Sequence, residues 1–284
     1  MKTFITRTLS GAVFAAIMIA GITIHWIPFM VLHIILANGC MSEFKQMFQT
    51  KYDYQKRKQS MSMLAFVGSW IIIAFAAIYF LQDEKLMYGI FAITFFLFIH
   101  QLFSFSQNAV TDLAYNLAAL VYTCVPLLCI IRLASGNSFS MDEPWFQNHG
   151  YIIFGIMLLI WTNDSLAYIT GSLIGKHKLF PSISPGKTWE GFAGGVLFTV
   201  LVAFILSKWL IQQTAFEWMM IAAIVGIFGT LGDLVESMMK RNAGVKDSGN
   251  IMPGHGGFLD RFDAYLFVMP FIYSFLQIEK YFVQ

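Results

Sequence analysis

LSGAVFAAIMIAGITIHWIPFMVLHIILANG, residues 9–39, contains no Asp, Glu, Lys or Arg. A membrane-spanning helix needs ~20 mostly apolar residues. The run is therefore too long for one ordinary span, and it can be read as one steeply tilted helix or as a tight pair of short ones. Positive charge separates the two. Lys2 and Arg7 precede the run, and Lys45, Lys51, Lys56, Arg57 and Lys58 follow it. Basic residues mark cytoplasmic flanks, so both ends of the run belong on the same side and the number of crossings is even. A helical hairpin broken near residues 24–28, between Gly21 and Pro28, meets that condition.

Further apolar runs lie near 62–81, 86–105, 112–133, 150–171, 189–209, 216–237 and 262–279. The expectation is an all-α, polytopic membrane protein with about nine spans, the N-terminus in the cytoplasm and the C-terminus outside. With that topology, fourteen of the eighteen basic residues fall in inside segments. The outside segments hold the acidic pairs Asp83–Glu84 and Asp142–Glu143. No small-residue cleavage site follows the basic, apolar N-terminus, so it reads as an uncleaved first span.

The composition agrees. Of 284 residues, 57% are hydrophobic and 12% charged, with 29 Phe and 16 Met, and mean hydropathy is +0.66. A soluble domain carries about 25% charge. Disorder, a disulfide scaffold, collagen and nucleic-acid binding through a large basic field are excluded. Cys40, Cys124 and Cys129 are scattered through apolar stretches and read as small packing residues. No internal repeat or linker divides the chain, so 1–284 is one membrane-embedded domain. Residues 1–150 read as scaffold spans. Residues 151–284 gather the polar groups at the cytoplasmic ends of spans.

The richest segment is 237–263, SMMKRNAGVKDSGNIMPGHGGFLDRFD. Gly254, Gly256 and Gly257, around His255, make a turn whose backbone N–H groups can approach phosphate oxygens. Arg241, Lys246 and Arg261 supply positive charge. Asp260 and Asp263, three apart at a helix start, share one face. Carboxylates at a membrane interface are costly unless neutralised, and Mg²⁺ on one or two carboxylates plus substrate phosphates would do that. Asp247 is a further anion in the turn. Upstream, Asp233 reads as an intramembrane acid, and Glu236 as the i, i+4 partner of an exposed Lys240.

Two more clusters sit earlier. Asp164 lies about two turns inside a span, ahead of Gly171, Gly175 and Lys176. The glycines also fit close helix packing of the small-xxx-small kind. Ser184-Pro185-Gly186-Lys187-Thr188 opens a span. Ser184 and Thr188 are candidate N-caps, and a helix N-terminus beside Lys187 would attract an anion.

Ser237, Arg241, Lys246, Asp247, Pro253, Gly254, His255, Gly256, Gly257, Asp260, Arg261 and Asp263, at these spacings, resemble the signature of the phosphatidate cytidylyltransferases, also called CDP-diglyceride synthases. The likeness is strong over about 160–265 and departs at Gly186, where related chains are often polar or basic. It implies an enzyme that joins CTP to phosphatidic acid, giving CDP-diacylglycerol and pyrophosphate, in a homodimeric membrane fold. It further implies Asp233 and Asp260 as metal ligands, with Asp263 and Asp247 in support, and K⁺ as a second cation beside Mg²⁺. Lys187, Arg241, Lys246 and Arg261 would offset phosphate charge.

Two other readings remain open on sequence. A CTP-dependent polyprenol kinase would need a base, for which His255 is a candidate, and would release CDP. A transporter would use the intramembrane Asp164 and Asp233, although transporter sites gather near the midplane of repeated halves.

The nine-span reading makes a direct expectation. Lys56→Cys and Asn250→Cys should be labelled only from the cytoplasmic side by a membrane-impermeant thiol reagent, and Asp142→Cys only from outside. Labelling of 56 and 250 from opposite sides would overturn it.

Overall fold

The computed structural model describes residues 2–48, 54–80, 86–103, 109–135, 144–146, 150–210, 212–251 and 256–283. The 9–39 run does break: α1 (Lys2–Thr23) ends before Ile24–His25, and α2 (Trp26–Phe48) begins directly after. Pro28 falls in the first turn of α2, where its missing N–H forfeits no helical bond. Across the break, Trp145 Nε1 donates to the Ile22 carbonyl at 2.7 Å, so the stretch before α6 closes the end of α1.

The chain continues as α3 (Tyr54–Phe80), α4 (Leu86–Phe103), α5 (Ala109–Ser135) and α6 (Tyr151–Ile174). Then come α7 (Trp189–Leu206), α8 (Ala215–Ile224), α9 (Thr230–Asn242) and α10 (Leu259–Val283). A π-helical turn, Val225–Gly229, joins α8 to α9 as one continuous rod. Among the described residues, five helical stretches are long and apolar enough to cross a membrane: Trp26–Phe48, Ala109–Ser135, Tyr151–Ile174, Trp189–Leu206 and Ala215–Asn242. The chain is thus a largely helical, multi-pass membrane protein.

The helical architecture is interrupted by one short hairpin that the sequence did not indicate. Between α6 and α7, β1 (Lys178–Phe180) pairs antiparallel with β2 (Ser184–Thr188), in a register that pairs Lys178 with Thr188 and Phe180 with Ser184. Ser184 therefore lies in a strand and caps no helix. Thr188 is the N-cap of α7, its hydroxyl accepting from Gly191 N at 3.1 Å.

α6 and α7 meet along a seam of small residues. A Cβ on Gly191 would stand 2.8 Å from the Ala167 carbonyl oxygen and 3.0 Å from Gly171 Cα. One on Gly175 would stand 2.6 Å from Thr188 Oγ1. Glycines let the two backbones approach, as membrane helices do where no hydrophobic drive separates lipid from protein. Gly171 and Gly175 are packing residues in this structure.

α10 packs against α2, α5, α8 and α9. Its buried side chains Leu259, Phe262, Tyr265, Leu266, Val268 and Met269 meet Phe29, Leu36, Cys40, Met41 and Leu127 in one core. The scaffold half and the polar half are one packed body. Outward-facing Leu9, Val13, Ile17, Val31 and Ile35 are about half exposed or more, as suits lipid contact.

Gly191→Val should force the α6–α7 seam apart. Overpacking costs about 1–3 kcal/mol, a fall of roughly 2–10 °C in melting midpoint. Gly186→Ala, whose Cβ would meet nothing within 4 Å, should leave the midpoint unchanged. Thermal unfolding in detergent checks both.

Candidate active site

Polar groups converge where the C-terminal ends of α2, α6 and α9 meet the hairpin and the N-terminal ends of α7 and α10. A pocket of about 380 Å³ opens there. Asn163, Asp164, Ala167, Tyr168 and Gly171 form its α6 wall. Gly186, Lys187, Thr188 and Phe192 form a second wall, and Thr230 and Asp233 a third. The π-helical turn immediately precedes α9 and directs Thr230 and Asp233 at this pocket. Such turns recur at functional sites.

Lys187 Nζ lies 2.5 Å from Asp233 Oδ2, with both side chains partly exposed to the pocket. Glu190, in the first turn of α7, holds the backbone that enters β1, the strand paired with the one that carries Lys187. Its carboxylate accepts from Lys176 N at 3.0 Å and His177 N at 3.2 Å, and stands 2.6 Å from His177 Nδ1. Lys176 therefore contributes a backbone donor to the hairpin, while its side chain stays exposed. Asp164 sits on the pocket wall within the electrostatic reach of Lys187 and Arg261.

Behind Asp233, the carboxylate oxygens of Asp233, Glu236 and Asp263 lie within 4.8 Å of one another. Glu236 has no exposed side-chain surface and pairs with Lys240 at i, i+4. The hydroxyl of Tyr122 on α5 is buried without a hydrogen-bond partner among the described residues, within electrostatic range of Asp263 and Glu236. Gly232 brings α9 close to α10: a Cβ there would stand 2.5 Å from Phe267 Cβ.

Asp260 does not join that cluster. Its Oδ1 accepts from Lys240 Nζ at 2.6 Å, and its Oδ2 from Gly257 N at 2.8 Å and Ser248 N at 2.9 Å. Ser248 Oγ also lies 3.0 Å from Oδ2. The Gly257 N–H is thus engaged by Asp260. Gly256 has φ +82°, a left-handed conformation that suits glycine, and a Cβ there would stand 2.5 Å from Asp260 Oδ2. Gly254 and His255 lie outside the described residues.

Lys240, read from sequence as an exposed pair, is only 12% exposed and bridges Glu236 and Asp260. The i, i+4 spacing showed one partner and could not show the second, which comes from α10. Arg241, Lys246, Asp247 and Arg261 are exposed around the mouth of the turn. None of these four is among the three convergent carboxylates.

Sequence reasoning missed Glu43 and Ser248. Glu43 is 3% exposed and reaches the turn from α2, accepting from Ser248 Oγ at 2.7 Å. The signal was there: an acid in a helix where Lys45 is the one other Asp, Glu, Lys or Arg, and such residues are functional candidates by default.

The arrangement offers a pocket of mixed polar and apolar lining, a lysine at a capped helix start, and a nest of carboxylates behind it. That suits an anionic lipid and a phosphate-bearing partner.

Comparison with known proteins gives the same direction. Residues 5–279 match the model of the cytidylyltransferase family. The phosphatidate cytidylyltransferase of Bacillus subtilis (strain 168) is 33% identical over 283 residues, covering 95% of this chain and 96% of that one. That of Staphylococcus epidermidis is 38% identical over 185 residues, covering 65% of this chain and 66% of that one. That of Staphylococcus aureus (strain COL) is 40% identical over 171 residues, covering 60% and 65%. The matched part thus spans about two thirds of the staphylococcal relatives and nearly all of the Bacillus one. With a match that runs almost end to end and takes in both the pocket and the Asp260 turn, the chain belongs to the cytidylyltransferase family.

Proposed function

We propose that the chain transfers the cytidylyl group of CTP to phosphatidic acid, releasing pyrophosphate, as a step of phospholipid synthesis. The observation that carries this reading is the Lys187–Asp233 pair inside a pocket whose lining mixes charged, hydroxyl and apolar side chains. The names of the relatives support the same substrates.

The chemistry fits the lining. The second pKa of a phosphate monoester is near ~6, so the lipid phosphate arrives largely dianionic and needs no strong base. One of its oxygens forms a bond to the α-phosphorus of CTP, and the bond to the bridging oxygen of the β-phosphate breaks. Such transfers depend on positioning and charge stabilisation. Lys187, freed from Asp233 by an incoming phosphate, would neutralise developing charge, and Arg241, Lys246 and Arg261 would hold the triphosphate at the mouth. Tyr168, Leu179 and Phe192 would line the path of the glycerol and first acyl carbons.

Asp233, Glu236 and Asp263 fit a divalent cation such as Mg²⁺: three hard oxygen donors from two rigid helices, with Asp233 facing the pocket. Such a cation would offset charge on the α-phosphate and on the departing pyrophosphate. Asp260, fully engaged by Lys240, Ser248 and Gly257, has a different task, the anchoring of the turn. A K⁺ ion as second cation and a homodimer complete the proposal on the strength of the family resemblance, and a pocket facing the cytoplasm on that of the basic flanks.

Purified protein with CTP, phosphatidate and Mg²⁺ should yield a CDP-lipid and pyrophosphate. Release of CDP instead would point to lipid phosphorylation.

Four substitutions probe the roles. Lys187→Gln should lower kcat/KM by ~10²-fold or more, as expected for a cation that meets phosphate in the transition state. Asp263→Asn should raise the Mg²⁺ concentration needed for half-maximal rate, and Asp260→Asn should lower the rate without that shift. Equal shifts would return Asp260 to the metal. Lys240→Gln should destabilise the protein by about 3–5 kcal/mol, because it strands two buried carboxylates. A melting midpoint equal to that of the unsubstituted protein would refute the bridge.

A further inference from the structure

Glu43 touches neither the pocket nor the carboxylate cluster, yet it is one of the most heavily engaged acids in the molecule. Besides Ser248 Oγ at 2.7 Å, it accepts from Phe258 N and Leu259 N, both at 2.9 Å. Those N–H groups belong to the start of α10, where a helix leaves donors without internal partners. Phe258 precedes the helix and has no side chain able to cap it. Glu43, 215 positions away in sequence, takes that place from α2. A buried negative charge is favourable there because the helix dipole is positive at its N-terminus.

The two glycines flanking the turn are fitted to this carboxylate. A Cβ on Gly249 or on Gly257 would collide with a Glu43 carboxylate oxygen. Gly257 is therefore small on account of Glu43, and its N–H serves Asp260. Ser248 stands between the two acids, 2.7 Å from Glu43 and 3.0 Å from Asp260. Asp260 holds Lys240, and Lys240 holds Glu236 of the cluster. One continuous chain of polar contacts thus runs from the scaffold helix α2 to the carboxylates behind the pocket.

We propose that Glu43 is a positioning residue for nucleotidyl transfer. It fixes the turn between α9 and α10 onto the start of α10 and, through Ser248, Asp260 and Lys240, sets Glu236 within its cluster. The proposal rests on the cytidylyl-transfer reading for its kinetic arm only. It assigns the N-terminal half of the chain a direct part in organising the site.

Glu43→Gln keeps the shape but presents an amide NH₂ to a set of donors. It should lower kcat by ~10- to 100-fold with KM for CTP changed by less than about threefold, since misplacement by about 1 Å can cost ~10²-fold. Hydrogen–deuterium exchange should quicken in residues 245–251 and 256–262 and stay unchanged in the α6–α7 seam. Glu43→Asp, which retains the charge, should recover part of the rate. Gly257→Ala should reproduce the defect with Glu43 still in place, and adding it to Glu43→Gln should cost little more. If Glu43→Gln proves unfolded, Glu43→Asp and Gly257→Ala decide the matter, and full kcat in both would overturn the proposal. So would a Glu43→Gln protein with kcat within twofold of normal. Faster exchange spread evenly over all helices would also overturn it, leaving a purely structural role. Should the unsubstituted protein make no CDP-lipid, the functional reading fails, while the exchange measurement still decides whether Glu43 holds the turn.

Discussion

Lys240 between two buried carboxylates is the constraint on which the polar end of this molecule depends. Glu236 from α9 and Asp260 from α10 are both drawn out of water, and an ionised carboxylate in an apolar bundle is very costly without a partner. One ammonium group meets both, and so ties α9 to α10. The remaining capacity of Asp260 is filled by backbone N–H groups of the intervening turn. The described residues that flank it, Ser248 and Gly257, are consequently held by a charge network.

That network explains why the signature region is so dense in glycine. Gly256 is required by its left-handed backbone and by its nearness to Asp260. Gly249 and Gly257 are required by the Glu43 carboxylate. These are steric demands of the folded protein, and they are independent of any phosphate. The wall of the pocket that carries Lys187 is supplied elsewhere, by the short hairpin and the capped start of α7. There the Gly171–Gly191 approach brings Lys187 across from Asp233. Glycine serves two purposes at one end of the bundle: close helix packing in the seam and room for carboxylates in the turn.

Much of the architecture could be read from the chain. The apolar runs and the basic flanks of residues 9–39 indicated a hairpin, and the break between α1 and α2 falls within the expected interval. The polar segments at 163–191 and 232–263 were found because charged and glycine-rich stretches are conspicuous against an apolar background. The β-hairpin was not legible. Five residues containing proline and glycine carry no periodicity, and only pairing with Lys178–Phe180 makes them a strand. Lys240 was misjudged for a related reason, since spacing along one helix reveals partners on that helix alone.

The sequence by itself determined the solvent of this protein, the approximate positions of its apolar helices, its family signature and the set of side chains available for chemistry. Each of these follows from local composition, because a helix in lipid satisfies its own backbone and needs only apolar length. The tertiary structure decided which acids belong together. Asp233 and Asp263 join Glu236, Asp260 is diverted to Lys240 and Ser248, and Glu43 comes from the opposite half of the chain to cap α10. Those assignments depend on how helices distant in sequence are rotated against one another. A carboxylate goes where its charge is met, and no one-dimensional pattern records that.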